Sequence, residues 1–538
     1  MSGAAAPAAE APGAPAAARD AAAAGPGQAA PGPLPAHLLP IFTLAVALST
    51  FMEVLDTSIA NVAVPTIAGN LAVSPNNGTW VISSYGLAAA IVVPLTGWIA
   101  RRFGEVRTFV VSVLLFTLAS ALCGLATSLP MLVAFRFLQG LVSGPMVPLS
   151  QTLLLQNYPP AKRGMAMALW SMTVVVAPIF GPLLGGYITD NLTWPWIFYI
   201  NAPIGVFAAF TAWTLLKKRE TPTARSPIDV PGLVAMVLGI GSLQLMLDNG
   251  NDLDWFGSPV IVTLAVVAVV GLSFLVIWEL TDDHPIVDLS LFRSRNFRFG
   301  VAAMALGFMA FFATTVLLPL WLQTVMGYTP TWAGVATAPV GVLALLFSPI
   351  VGRNIARLNL RAMASLSFVI FAATSWWFST FNLDTSIGHI ALPRMLQGLA
   401  VACFFIPINQ ILLSGVQPAR MAAASGLSNF FRTLSGSMGT AIVTTLWDHR
   451  TQVHEVRLAE NVTANGVAAR GYLDTLTQGG APTGAGYAQI QQLIHAQGAM
   501  LATSEVFWGI ALMFVALIGF VWMTRPPFGV AGGGAGGH

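Results

Sequence analysis

From Leu38 onward the chain alternates between long apolar runs and short polar breaks, and each run approaches the ~20 residues that a helix needs to cross a ~30 Å hydrocarbon core. The runs lie at 38–62, 79–100, 106–127, 130–154, 164–189, 195–216, 231–248, 258–280, 299–325, 331–351, 361–381, 389–413, 421–447 and 503–524, which predicts an all-α polytopic membrane protein of fourteen spans. Residues 1–37 are of another kind. Ala, Pro and Gly with almost no charge cannot bury a core, and the stretch lacks the basic n-region and compact apolar segment of a signal peptide, so a disordered, uncleaved tail is expected.

The two halves repeat. RFLQG at 136–140 recurs as RMLQG at 394–398, PLSQ at 148–151 as PINQ at 407–410, and PAKRGMA at 160–166 as PARMAAA at 418–424. PLTGWIARR at 94–102 pairs with SPIVGRNIAR at 348–357. Ordered matches of this kind mark a transporter made of two related bundles. The expected organisation is a six-helix bundle at 38–216, a linker at 217–298 holding two extra spans, and a second six-helix bundle at 299–524. That second bundle includes a long loop at 448–502, and a glycine-rich tail closes the chain at 525–538.

Composition narrows the class. Hydrophobic residues make up 56% of the chain and charged residues 8%, with a mean hydropathy of +0.74, against about 25% charged in soluble domains. A soluble fold is excluded. Of the 24 basic residues, all but Arg136, Arg394, Arg432, Arg450, Arg457 and Arg470 fall in the segments on one side of the predicted membrane. Short loops rich in Lys and Arg stay cytoplasmic, so both termini are expected inside the cell. Cys123 and Cys403 each sit in an apolar run and behave as small hydrophobes.

Charges inside the spans carry the candidate chemistry. Glu53 and Asp56 are three residues apart and project from one helical face. A charge at the bilayer centre costs at least ~2.5–3.5 kcal/mol, so such a carboxylate faces a cavity or a partner and marks a proton or ligand site. Burial favours the protonated form of a carboxylate and a nearby arginine the ionised form, so alternation between the two loads and releases a proton. The other reading is a fixed ion pair with Arg136 or Arg432. Arg136 is permanently charged and is followed one turn later by Gln139 and Gly140; it serves as a counter-charge or as a tie between helices. The fifth span carries Pro178, Gly181, Pro182, Gly185 and Gly186, which suit a compliant, closely packed seam between the bundles. Trp170, Met172, Phe311, Phe312 and Trp321, with Gln139, Arg394 and Arg432, are candidates for a substrate cavity, although the apolar ones suit a lipid-facing surface equally well.

MEVLDTSIANVAVPTIAGNL at 52–71, GWIARRFGEVR at 97–107, FRFLQG at 135–140, APIFGPLLGGYI at 177–188 and WPWIFYINAPIG at 194–205 resemble the fourteen-span drug:proton antiporters of the major facilitator superfamily, of the EmrB type. The likeness runs from Leu38 to the C-terminus. It implies the major-facilitator fold with a two-helix central insertion, export of drugs in exchange for protons, and an inner-membrane location. It further implies a tripartite pump with a periplasmic adaptor of EmrA type and an outer-membrane TolC-like channel. Asp56 matches the family's first-span motif, Arg136 an arginine implicated in proton coupling, and the GPxxGG of the fifth span an exporter signature. Ala168 and Ala177 stand where the family usually has glycine. Gly97, Arg101, Arg102, Gly104 and Arg107 form the loop between the second and third spans; Arg101 replaces an Asp usual in the wider superfamily, which leaves topological anchoring as the loop's reading. The family pattern requires no arginine at Arg394.

Other chemistry is set aside. Asp252 and Asp254 read as a solvated loop rather than a metal-binding DxD, and His449, His454 and Glu455 lack metal-ligand spacing. No GxxxxGK[ST] loop is present, so neither ATP chemistry nor a cofactor is expected. A single-metabolite transporter of the same fold, a membrane enzyme acting on lipid-linked substrates and a passive channel remain as alternatives.

Overall fold

The computed structural model describes residues 32–73, 78, 80–224, 229–251, 253–282, 285–355, 357–462, 466–478 and 483–528. Among them the regular structure is entirely helical. Fourteen long helices follow the fourteen apolar runs: α1 (Leu39–Asn70), α2 (Trp80–Phe103), α3 (Glu105–Gly124), α4 (Leu129–Asn157), α5 (Arg163–Asn191), α6 (Trp196–Leu216), α7 (Val230–Asn249), α8 (Pro259–Thr281), α9 (Arg295–Thr324), α10 (Thr331–Asn354), α11 (Leu360–Phe378), α12 (Ile387–Leu412), α13 (Met421–Asn461) and α14 (Thr483–Trp522). By length and composition 12 helices qualify as membrane spans, and α5 and α13 pack among them with comparable length. Helices are the natural outcome, since in lipid each backbone polar group must find its partner within its own segment.

Packing repeats as the sequence does. α1 lies on α5 and α6, α2 on α4, and α3 on α4 and α6; in the same way α9 lies on α13 and α14, α10 on α12, and α11 on α12 and α14. The repeated glycines explain part of this. A side chain on Gly140 would strike the Tyr85 carbonyl of α2, and one on Gly398 would strike the Val340 carbonyl of α10, so both LQG motifs mark a close helix approach. α7 and α8 pair with each other, and α7 fills the space between α2 and α13, where Gln244 donates to Ser437 (3.2 Å).

Two segments depart from the expected boundaries. Leu34 is buried and its amide donates to the Asn157 carbonyl (2.9 Å), so residues 32–37 are held against the bundle rather than free; residues 1–31 lie outside the described part, as do 529–538, Arg225 and Asp252. α13 and α14 also continue far into the expected loop 448–502, joined by a short helix, Val467–Gln478. Hydropathy reports where the membrane ends. It does not report where the helix ends. Arg450 clasps Glu505 at 2.6 and 2.8 Å, and His495 pairs with Glu455, tying the two extensions together.

Candidate functional site

The centre of the first bundle is polar. Asp56 of α1 and Arg136 of α4 form an ion pair (Nη1 to Oδ2, 2.5 Å) with both side chains wholly removed from solvent. Nη1 of Arg136 also donates to Gln139 Oε1 (2.9 Å) and Nε to the Val81 carbonyl of α2 (2.9 Å), while the guanidinium lies 4.4 Å from the Tyr85 ring. The other carboxylate oxygen of Asp56 accepts from Asn201 Nδ2 of α6 (2.8 Å) and Gln139 Nε2 (3.2 Å). Asn201 also donates to Ser120 of α3 (3.0 Å). Five helices therefore meet on one carboxylate–guanidinium pair. Charge-assisted bonds of this kind hold a buried pair that hydrocarbon would otherwise expel. Asn201 and Ser120 were not expected from the sequence; their signal is only a polar residue inside an apolar run.

Glu53, three residues from Asp56, belongs to different surroundings. It interacts electrostatically with Arg432 of α13, across the two bundles, but makes no ion pair with it within 4 Å, and its Oε2 has no hydrogen-bond partner. The two carboxylates thus share a helix and divide between bundles. Asp56 is locked within the first, whereas Glu53 looks toward the second.

Between the bundles lies a cavity of about 170 Å³, walled on one side by Val54 and Val174 and on the other by Phe308, Phe311, Phe312, Phe405, Arg394 and Arg432. Phe308 and Phe312 approach to 4.8 Å between centroids. Four candidate lining residues are elsewhere. Gln139 is spent on the Asp56 pair; Trp170 is buried inside the first bundle, donating to Ser150 (2.8 Å); Trp321 is buried in the second, stacked on Phe381. Both indoles are core residues, and composition alone does not tell core from cavity. Met172 is half-buried on α5 and does not border the cavity.

Toward the face that carries the chain termini the cavity is closed. Gln151 of α4 donates to Asn409 of α12 (3.0 Å) and accepts from Asn429 of α13 (3.1 Å), bridging the bundles. A side chain on Gly352 of α10 would strike Ala168 and the Gly164 carbonyl of α5, and one on Gly97 of α2 would strike Ala423 of α13, so both mark a close approach of the two bundles. Of the loop residues, Arg101 lies within electrostatic reach of Asp288 and Arg420, whereas Arg102 and Arg107 line a pocket of the first bundle with residues of α3 and α4. Gly104 takes φ +93°, and the Glu220 carboxylate packs on it and accepts the Val106 and Arg107 amides (2.9 Å each), capping α3. A positive φ with a carboxylate overhead leaves room for glycine alone.

The fifth-span glycines sit differently from the expectation of an inter-bundle seam. A side chain on Gly181 would strike Ser58 and one on Gly185 would touch Ile59, both of α1 in the same bundle, whereas a Cβ on Gly186 would meet nothing within 4 Å. The fifth span nevertheless packs on both segments of α10 and on α12 of the other bundle, with a close approach at Gly164. The side chains of Pro178 and Pro182 lie outside the described residues.

Comparison with known proteins completes the picture. The Major Facilitator Superfamily profile matches residues 46–440. The multidrug export protein EmrB of Escherichia coli K12 is 53% identical over 93% of this chain and 98% of its own length. The fatty acid resistance protein FarB of Neisseria gonorrhoeae is 49% identical over 91% and 97%. Among solved structures, the human organic anion transporter MFSD10 superposes with a TM-score of 0.57 at 12% identity, covering 91% of this chain and 100% of that one, a likeness of fold.

Proposed function

The chain belongs to the Major Facilitator Superfamily, and on that premise we propose that it is a proton-coupled antiporter exporting hydrophobic and amphipathic compounds, drugs among them, across a bacterial inner membrane by alternating access. The observation that carries the reading is the Asp56–Arg136 pair, wholly buried where five helices of one bundle converge. A proton on Asp56 cancels the charge that holds Arg136, Gln139 and Asn201 in place. Loss of that attraction loosens α1 against α4 and α6 and frees the bundle to rock. The Gln151–Asn409–Asn429 bridge then parts on the terminal face, and the cavity exchanges one side for the other. The proton-motive force supplies ~2.3 kcal/mol per charge per 100 mV. Basic loops on the terminal face support a cytoplasmic position for both termini.

The names of the relatives support multidrug export, and we extend the proposal to assembly with a periplasmic adaptor of EmrA type and an outer-membrane channel, which the sequence resemblance implies. The extended ends of α13 and α14 with the short helix between them are the surface assigned to the adaptor. Deleting 455–495 should end co-purification with it while leaving the protein in the membrane; unchanged co-purification would remove that assignment. The transport reading is tested with everted vesicles and a hydrophobic dye. Uptake should follow an imposed proton gradient and collapse with an ionophore, whereas gradient-independent flux would mean a passive channel.

A further inference from the structure

The stretch 285–293, which leads from α8 to α9, is folded onto the bundles as a strap. Ile286, Val287 and Leu291 are buried, the Val287 amide donates to Glu279 Oε2 at the end of α8 (3.2 Å), and Leu289–Arg293 form a short 3₁₀ helix. Two contacts fasten the strap to the second bundle. Phe292 packs edge-on against Phe431 of α13, 5.7 Å between centroids. Arg420, which directly precedes α13, donates Nε to Asp288 Oδ2 (2.8 Å) and places Nη2 2.6 Å from the same oxygen, while Ser290 donates to Asp288 Oδ1 (2.7 Å). Across the seam stands Arg101 at the end of α2, within electrostatic reach of both Asp288 and Arg420 and beyond salt-bridge distance of the carboxylate. One turn earlier on α2, Gly97 lies so close to α13 that a side chain on it would strike Ala423. Two guanidinium groups on opposite bundles, which would repel each other, therefore share one carboxylate where the bundles touch. The sequence left Arg101 with topological anchoring alone; the strap gives it an acid.

We propose that Asp288 is a cross-bundle tie: the linker that carries the two extra helices supplies a carboxylate that holds the end of α2, through Arg101, to the start of α13, through Arg420, while the terminal face is closed. Asp288 is a positioning residue, since it touches neither the inter-bundle cavity nor the Asp56 pair. Its bonds to Arg420 and the Phe292–Phe431 contact keep the strap on α13, so opening of the terminal face carries Asp288 away from Arg101 and works against their attraction. The tie thereby sets how often that face opens and gives the central insertion a part in the conformational cycle. The inference rests on the alternating-access reading and goes beyond it.

The test uses the full-length protein in everted vesicles, with Cys123→Ser and Cys403→Ser to remove the native thiols and Ser425→Cys as reporter. Ser425 is wholly buried on α13, and its carbonyl accepts from Asn429 (2.8 Å), the residue whose amide also bridges to Gln151 of the first bundle (3.1 Å). The terminal face, rich in basic loops, points outward in such vesicles, so an impermeant maleimide in the medium labels the reporter when that face opens. Asp288→Asn should raise the labelling rate about fivefold, the factor expected from loss of one partly exposed ion pair, and Arg101→Gln should raise it comparably. Asp288→Glu should label at the wild-type rate. Asp288→Asn combined with Arg101→Asp should return toward that rate, because the acid then faces Arg420 from α2; a rescue of this kind separates a tie from general damage to the fold. Unchanged labelling in Asp288→Asn overturns the proposal. So does a rise in Asp288→Asn that Arg101→Gln does not share, which would make Asp288 a local anchor of the strap on α13. Neither dye nor gradient enters the measurement, so failure of gradient-driven uptake by the wild type would remove the export reading and leave the labelling result to decide the tie.

Discussion

Arg136→Met removes the only cation within salt-bridge distance of Asp56 among the described residues and leaves a carboxylate in the bundle interior held by Asn201 and Gln139. Breaking one side of a buried pair costs about 3–5 kcal/mol, and the lost contact with Tyr85 adds ~0.5–2 kcal/mol. Asp56→Asn strands the guanidinium at a similar cost. The double variant removes both charges, so the desolvation term disappears and the penalty should fall below either single one, leaving a coupling energy of at least ~2 kcal/mol. The assay is thermal unfolding of the purified protein in detergent, followed by fluorescence-detected size exclusion. At ~2–4 °C per kcal/mol for a bundle of this size, each single substitution lowers the midpoint by on the order of 10 °C and the double by less. Additive losses would refute the reasoning, since they would mean that the two side chains are stabilised separately.

Two further outcomes follow from the same geometry. Asn201→Leu deletes the amide shared by Asp56 and Ser120 and should cost about 1–3 kcal/mol in the same unfolding assay; a midpoint within 1 °C of wild type, on a scale of ~2–4 °C per kcal/mol, would show the amide to be incidental. Gly352→Leu forces α10 off Ala168 and the Gly164 carbonyl, and Cys403, buried with Ala168, Val351 and Ile406 in the cluster at that seam, should become reactive to a maleimide when Cys123 is replaced by Ser. Unchanged protection of Cys403 would place the seam elsewhere.

The sequence was most legible where a charge interrupts hydrocarbon. Asp56 and Arg136 stand out because, with Glu53, they are the only charged residues in their spans, and the repeat sets Arg394 opposite Arg136. Asn201 and Ser120 escaped because an uncharged polar residue is cheap in a span and carries no signature of its partner. Trp170 and Trp321 were misplaced for the opposite reason. Helices apolar on every side give no periodicity from which to tell core, cavity and lipid apart, and only the packing puts both indoles in bundle cores. The glycines of α5 were rightly read as close contacts, but composition does not say that the partner is α1 rather than the other bundle. The division of Glu53 and Asp56 between bundles is likewise invisible at a spacing of three residues.

The account stands or falls on what Asp56 does with a proton. Everted vesicles carrying wild type or Asp56→Asn should be compared in two modes, uphill dye uptake under an imposed pH gradient and downhill exchange of labelled for unlabelled dye without one. Wild type is expected to perform both, and Asp56→Asn only the exchange, because a neutral amide leaves the cavity usable and uncouples it from the gradient. Uphill uptake by Asp56→Asn at the wild-type rate would contradict the account and move the coupling proton away from this pair.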